Sequence, residues 1–223
     1  MFLPGLGLGS DSFGVPKEEI DKFRKVLRLD EGSQIAVLPN DGTLIRCVFR
    51  DKRAWPLETT SPNTERAIQL TLVQALPKGD RIETVLRMGT ELGVSKFVLF
   101  PADRSIVRWD AAKVKEKRRR LEVIIREAAE QSFRCKLPVL DFSGSLSSVL
   151  EVWPNALVLS EVEGIANHLP TNIVEATFVV GPEGGWSPRE LALIGDRGVT
   201  LGPLVLRTDT AGIAAVAAVL CPR

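Results

Sequence analysis

From Pro77 onward, short apolar runs alternate with helix-forming stretches, and this alternation constrains the fold of the 223-residue chain more than any other feature. Asp80 opens a helix with Glu83 three residues on; Ile82, Val85, Leu86 and Leu92 share one face, and Gly93 ends it. Val94 to Phe100 reads as a strand closed by Pro101. Lys113 to Phe133 reads as the longest helix, with Leu121, Ile124, Ile125, Ala128 and Ser132 in one stripe. Further strands are predicted at Pro138 to Asp141, Ala156 to Ser160, Ala176 to Val180 and Val199 to Leu201. Helices are predicted at Leu146 to Val152, after Ser187, and from about Thr210. Strands that alternate with helices favour a mainly parallel sheet, so residues 76–223 are expected to form an α/β domain.

Residues 1–75 read differently. Pro4-Gly5-Leu6-Gly7-Leu8-Gly9-Ser10 is glycine-rich like a nucleotide loop, but no strand precedes it. Residues 1–16 therefore read as a flexible or loosely docked arm. Pro16 to Leu29 suits a helix with Ile20, Phe23, Val26 and Leu27 on one face. Gln34 to Leu38 and Thr43 to Phe49 flank Asn40-Asp41-Gly42, a hairpin signal. Ala67 to Leu76 reads as another strand, with Ile68, Leu70, Leu72 and Gln74 alternating with their neighbours. The expectation is a small β-rich domain over 1–75.

Composition narrows the chemistry. At 44% hydrophobic and 26% charged residues, the chain can bury an ordinary core. A formal charge of +1 makes no strong global field, so an anionic partner must meet local patches. No apolar run is long enough to cross a membrane, and no secretion signal is read at the N-terminus. Cys47, Cys135 and Cys221 are far apart and odd in number, which suits free thiols in a reducing, cytoplasmic setting. The single histidine, His168, argues against a multi-histidine metal site and against a Ser-His-Asp triad, so no metal is expected. The last helix, Ala211 to Leu220, is apolar all round and needs cover on every side; a subunit interface would supply it.

Two loops stand out. Gly181-Pro182-Glu183-Gly184-Gly185 leaves an apolar strand and enters a helix whose start, Ser187-Pro188-Arg189-Glu190, carries a capping box. Leu201-Gly202-Pro203 through Ala211 repeats the pattern. Each would serve equally as a tight turn. Together they lie at strand carboxyl ends, where open α/β sheets bind ligands. Neither is a P-loop or a dinucleotide fingerprint, so the ligand is not expected to be held by phosphates. S-adenosylmethionine, which has none, suits recognition by main chain. Lys113, Lys115, Lys117, Arg118, Arg119 and Arg120 crowd a helix start, with Arg104 and Arg108 just before it. Helix N-termini favour negative charge, so this cluster reads as a phosphate footprint or as a solvated face. Glu127, Glu130, Gln131 and Arg134 share a helical surface, with Glu130 and Arg134 at favourable i,i+4 spacing.

An ordered set of motifs resembles the bacterial 16S rRNA uridine-N3 methyltransferases of the knotted SPOUT class. It comprises Glu91-Leu92-Gly93-Val94, Arg104-Ser105, Glu127-Ala128-Ala129-Glu130-Gln131-Ser132 with Arg134, Gly181 to Gly185, Leu201-Gly202-Pro203, and Leu206-Arg207-Thr208. The N-terminal β-rich part, with Val26-Leu27-Arg28, is similar to the family's PUA-like barrel. The resemblance implies a trefoil-knotted α/β domain, a homodimer, and S-adenosylmethionine bound at Leu159, Ser160, Gly181, Pro182, Gly184, Gly185, Leu201, Gly202, Leu206 and Thr208. The RNA partner, 16S rRNA or the 30S subunit, would meet Arg28, Arg104, Arg108, Lys115, Arg118, Arg119 and Arg134. Leu204 stands where the family often has arginine, Asp209 where glutamate is usual, and Phe23-Arg24-Lys25 where a histidine often precedes the Val-Leu-Arg.

Methylation at N3 requires loss of an imide proton. Either Glu183 accepts it, or Arg207 stabilises the developing anion on the uracil oxygens. Glu183 has an alternative role, tying its loop down through backbone N–H groups. N3 lies on the pairing edge, so the target uridine must be unpaired and turned out of its stack. A knotted methyltransferase of another RNA, or a non-catalytic RNA-binding protein with the same fold, fits the same motifs.

Overall fold

The computed structural model describes residues 1–6, 11–161, 169 and 174–220. The glycines at 7 and 9, His168 and Cys221 lie outside the described residues. The chain divides into two compact units, one of residues 1–65 with 129–137, the other of residues 66–128 with 138–223.

The first unit is built on a four-stranded antiparallel sheet of β1 (Phe13–Gly14), β2 (Gln34–Val37), β3 (Leu44–Arg50) and β4 (Arg53–Thr60), ordered β1-β4-β3-β2. The expected hairpin is present: β2 pairs with β3, Val37 opposite Ile45. Asn40 and Gly42 take the positive φ that the turn needs, +71° and +100°. Phe13, Phe23, Ile35, Val37, Ile45, Cys47 and Phe49 form its core, Phe23 meeting Phe49 edge-on with centroids 5.4 Å apart. Helix α1 (Lys17–Lys22) runs into a π-helical turn, Phe23–Leu27, which ends at Arg28 in the left-handed region. The opening residues are not a loose arm. Phe2 is buried with Leu38, Ala129 and Cys135, and Leu3 N donates to the Leu38 carbonyl, because the apolar Phe2 ring has a pocket to fill.

In the second unit six strands form one sheet: β5 (Gln69–Ala75), β6 (Lys96–Phe100), β7 (Val139–Phe142), β8 (Leu157–Leu159), β9 (Glu175–Val180) and β10 (Gly198–Val199). Their order is β10-β8-β9-β5-β6-β7 and every pairing is parallel. Strand β5 corrects the expected boundary at residue 75. It is not part of the N-terminal sheet but lies between β6 and β9, where both of its faces are buried. Leu70 and Leu72 face one apolar layer and Val73 and Ala75 the other.

Helices cover both faces. Helices α2 (Arg81–Leu92), α3 (Ala111–Gln131) and α6 (Thr208–Leu220) bury Val85, Leu86, Leu121, Ile125, Ala215 and Val216 in the first layer. Helices α4 (Leu146–Val152) and α5 (Pro188–Ile194) bury Leu146, Val149, Leu150 and Ile194 in the second. Gly93 ends α2 with φ +109°, as expected, while Asp80 precedes α2 without a side-chain cap. α3 starts two residues before the expected Lys113, where Asp110 Oδ1 accepts the Lys113 N–H at 2.8 Å. α6 packs on α2, β5 and β9, burying Gly212, Ala215, Val216 and Leu220; of its remaining residues several are half-buried and Ala218 is exposed.

Candidate active site

The carboxyl ends of β8, β9 and β10 open into a cleft of about 1020 Å³. This is the edge of a parallel sheet where ligands bind. It is walled by Leu159 and Ser160 after β8, by Gly181, Pro182, Glu183 and Gly185 after β9, and by Thr200 through Thr208 after β10. Nearly all of the expected donor-contacting residues therefore converge on one cleft, Gly184 excepted among its lining.

The glycine loop is fixed at both ends. At its start, Thr208 Oγ1 donates to the Gly181 carbonyl at 2.6 Å. At its end the capping box expected from Ser187-Pro188-Arg189-Glu190 is complete: Glu190 N donates to Ser187 Oγ, and Ser187 N donates to Glu190 Oε2. Glu190 is buried, and its other oxygen accepts the Asp103 N–H at 2.9 Å. Asp103 in turn accepts hydrogen bonds from Arg189 and Ser187 Oγ, which hold its carboxyl below the usual carboxylate range. The segment after β6 is thus bound to the start of α5.

Trp186, which sequence reasoning passed over, forms a wall of the cleft. Its indole stacks on Phe100, centroids 6.5 Å apart, and Nε1 donates to the Leu159 carbonyl at 3.0 Å. A Cβ on Gly181 would stand 3.0 Å from Trp186 Cε2, tighter than ordinary contact, so a larger residue there would press on the ring. A tryptophan at the exit of a glycine loop was the available signal. Gly202, at φ +128°, turns the second loop past the cleft.

Glu183 Oε1 accepts the Lys78 N–H at 3.0 Å and Arg81 Nη1 at 3.2 Å. Arg104 Nη1 donates to the Gly184 carbonyl at 3.1 Å. Both contacts pin the middle of the glycine loop. Across the cleft, Glu161 Oε1 accepts the Leu206 N–H. Arg207 lines the cleft, is exposed, and has no hydrogen-bond or ion-pair partner for its side chain among the described residues.

The cleft fits a nucleoside read by main chain. Its glycine turns present backbone rather than side chains. Ser160 Oγ, in a residue 6% exposed that lines the cleft, has no hydrogen-bond partner among the described residues. A buried hydroxyl of this kind calls for a polar partner. The existing residues therefore suit the expected S-adenosylmethionine.

The basic residues separate. Arg104 lines the cleft, whereas Arg108, Lys115, Arg118 and Arg119 do not. Lys115 and Arg119 are exposed; Arg108 caps the Asp103 carbonyl at 3.1 Å. Arg118 donates to the Leu140 carbonyl at 2.6 Å and lies 4.8 Å from the Phe142 ring centroid. In the first unit Arg28 is exposed beside a shallow pocket shared with Arg24, Asp30 and Glu31. Arg134 is a correction. Its side chain is 6% exposed and pairs at 2.8 Å with Glu65, which also accepts the N–H groups of Cys135 and Lys136. It is held in the interior of that unit and does not form an RNA-facing cation. The expected Glu130–Arg134 surface pair is likewise replaced: Glu130 accepts Lys22 Nζ and the Phe2 N–H.

The model of the RNA methyltransferase domain family matches residues 64–220. The ribosomal RNA small subunit methyltransferase E of Bacillus subtilis is 35% identical over 229 aligned residues, spanning 93% of this chain and 89% of that protein. Among solved structures, the ribosomal RNA small subunit methyltransferase E of Neisseria gonorrhoeae bound to S-adenosyl methionine superposes with a TM-score of 0.84 at 28% identity. That match covers 97% of this chain and 94% of the other. A Legionella pneumophila methyltransferase in complex with SAM gives a TM-score of 0.88 at 26% identity, with the same coverage of each chain. This chain belongs to the RNA methyltransferase domain family, among the ribosomal RNA small subunit methyltransferase E proteins.

Proposed function

We propose that this chain is an S-adenosylmethionine-dependent methyltransferase of small-subunit ribosomal RNA, and that it acts on N3 of a uridine in 16S rRNA. The observation that carries the reading is the cleft itself: two glycine turns at one strand edge, with the buried Ser160 hydroxyl and the exposed Arg207 guanidinium both without a partner among the described residues. S-adenosylmethionine supplies an electrophilic sulfonium methyl group to such a site.

The roles of the chain's own residues follow from where they lie. Leu159, Ser160, Gly181, Pro182, Gly185, Leu201, Gly202, Leu206 and Thr208 form the donor site, and Gly184, outside the lining, joins two of them in the loop. Arg207, whose guanidinium has no partner among the described residues, would hold negative charge on the uracil oxygens as the imide proton passes to solvent and N3 takes the methyl group from sulfur. Glu183 is best read as the loop's anchor, because Oε1 already accepts two donors from Lys78 and Arg81. Arg28, Arg104, Arg108, Lys115, Arg118 and Arg119 contact RNA, Arg108 and Arg118 with whatever capacity their backbone bonds leave.

The same reading assigns the N-terminal unit a PUA-like RNA-binding role and the second unit a trefoil knot. The return of the chain from edge strand β10 to α6, lying on α2, β5 and β9, supports the knot. A homodimer would cover the remaining apolar surface of α6, and the reaction would take place in the cytoplasm.

Methylated-nucleotide mapping tests the proposal. Small subunits from cells lacking the enzyme are incubated with the chain and S-adenosylmethionine, and the modified base is located. One N3-methyluridine in 16S rRNA is expected. Methylation elsewhere would assign another RNA, and calorimetric absence of donor binding would leave a non-catalytic RNA-binding protein. Arg207→Ala is expected to lower kcat by about 100-fold or more, with donor Kd changed by less than about 3-fold. Equal losses in both would remove Arg207 from the anion-stabilising role.

A further inference from the structure

Gln74 is fully buried on β5, in the stripe of Leu70 and Leu72 that faces α6. An apolar side chain would be expected there. Its Nε2 donates to Thr208 Oγ1 at 2.9 Å and to the Ala75 carbonyl at 3.2 Å. That carbonyl can only accept, so it fixes which end of the amide is nitrogen. Thr208 Oγ1 lies 2.6 Å from the Gly181 carbonyl, another pure acceptor. A hydroxyl carries one proton. Because the Thr208 oxygen receives the Gln74 N–H, its own proton is directed to Gly181. The three groups form a one-way relay from the sheet's interior to the first residue of the glycine loop.

Two features mark this relay as more than filling. Gln74 Oε1 is buried without a partner among the described residues, a cost that a leucine or methionine would avoid. And α6 lies close to the relay because residue 212 is glycine: a Cβ there would stand 3.2 Å from Val180 Cγ2 and 3.4 Å from Gln74 Oε1.

We propose that Gln74 is a positioning residue of the donor site: by orienting the Thr208 hydroxyl it locks the Gly181 carbonyl and holds the loop in its ligand-ready shape. The inference rests on the S-adenosylmethionine reading above. Gln74 does not line the cleft and acts only through Thr208.

The test uses the full chain with Gln74→Met, which keeps length without a donor, and Gln74→Asn, which keeps the amide without the reach. Thr208→Val and Thr208→Ser form a second pair. Amide hydrogen exchange over residues 181–186 is read without ligand, and S-adenosylmethionine binding is read by calorimetry. Both Gln74 variants are expected to speed exchange in that segment and weaken donor Kd about tenfold; Thr208→Val is expected to speed exchange there too, while Thr208→Ser, which keeps the hydroxyl, exchanges more slowly than Thr208→Val. Wild-type exchange and Kd in either folded Gln74 variant would overturn the relay, as would exchange over 181–186 as fast in Thr208→Ser as in Thr208→Val. Failure of the unmodified chain to bind the donor is a different result, which overturns the donor-site reading and this role together.

Discussion

Replacing Trp186 with Phe isolates the contact that joins the two walls of the cleft. The indole N–H reaches the Leu159 carbonyl at 3.0 Å in buried surroundings. Phenylalanine keeps the ring against Phe100 but removes that donor. A buried carbonyl without a partner costs about 1–3 kcal/mol. The smaller ring adds about 1 kcal/mol for the space it leaves beside Phe100. The sum is about 2–4 kcal/mol, at the lower end if cleft water reaches the carbonyl. For a chain of this size that lowers Tm by on the order of 10 °C. Because Leu159 and Gly181 both border the cleft and both touch Trp186, donor affinity is expected to fall about tenfold as well, or about 1.4 kcal/mol. Differential scanning calorimetry and titration calorimetry read the two effects on one preparation. A variant with Tm and Kd both within error of wild type would refute the claim that this hydrogen bond sets the cleft's shape.

Arg134→Ala is expected to destabilise the fold by about 3 kcal/mol by leaving Glu65 without its cation, yet to leave RNA affinity unchanged where the protein stays folded; thermal melts and RNA titrations check both. Burial pushes the Cys47 thiol from its ordinary 9.0 up to about 11. The folded chain therefore holds that proton longer than the unfolded one, and stability is expected to fall as pH rises from about 9 to 11. Below that window, a thiol reagent at pH 8 is expected to label Cys47 only as fast as the protein opens. Lys115→Ala and Arg119→Ala are each expected to reduce the salt dependence of RNA binding by about one unit of slope, with affinity falling alike for all sequences. A slope unchanged in the double variant would take this helix face out of the RNA footprint.

What could be read in advance was local. The Ser187 capping box and the Asn40-Asp41-Gly42 hairpin each depend on a few neighbouring residues, and both are present. The two glycine loops were legible as turns that leave apolar strands, and residues of both line the cleft. What failed depended on partners distant in sequence. Arg134 looked like a surface cation because nothing near it reveals Glu65, 69 residues earlier. Trp186 looked unremarked because its acceptor, Leu159, lies 27 residues back. Strand β4 was missed because most of its residues are exposed and do not alternate, and it is held by backbone pairing to β3. β5 showed the right period, but period alone does not say which sheet a strand joins.

The glycine loop is clamped firmly at Gly181 and at Ser187, while its middle is tethered by Arg81 and the Lys78 N–H to Glu183 and by Arg104 to the Gly184 carbonyl, contacts that lie at the water-facing side of the loop. Tethers of that kind hold weakly and loosen in salt. The span from Pro182 to Gly185 is therefore expected, like a drawbridge hung between two fixed posts, to yield before the sheet or the helix on either side does.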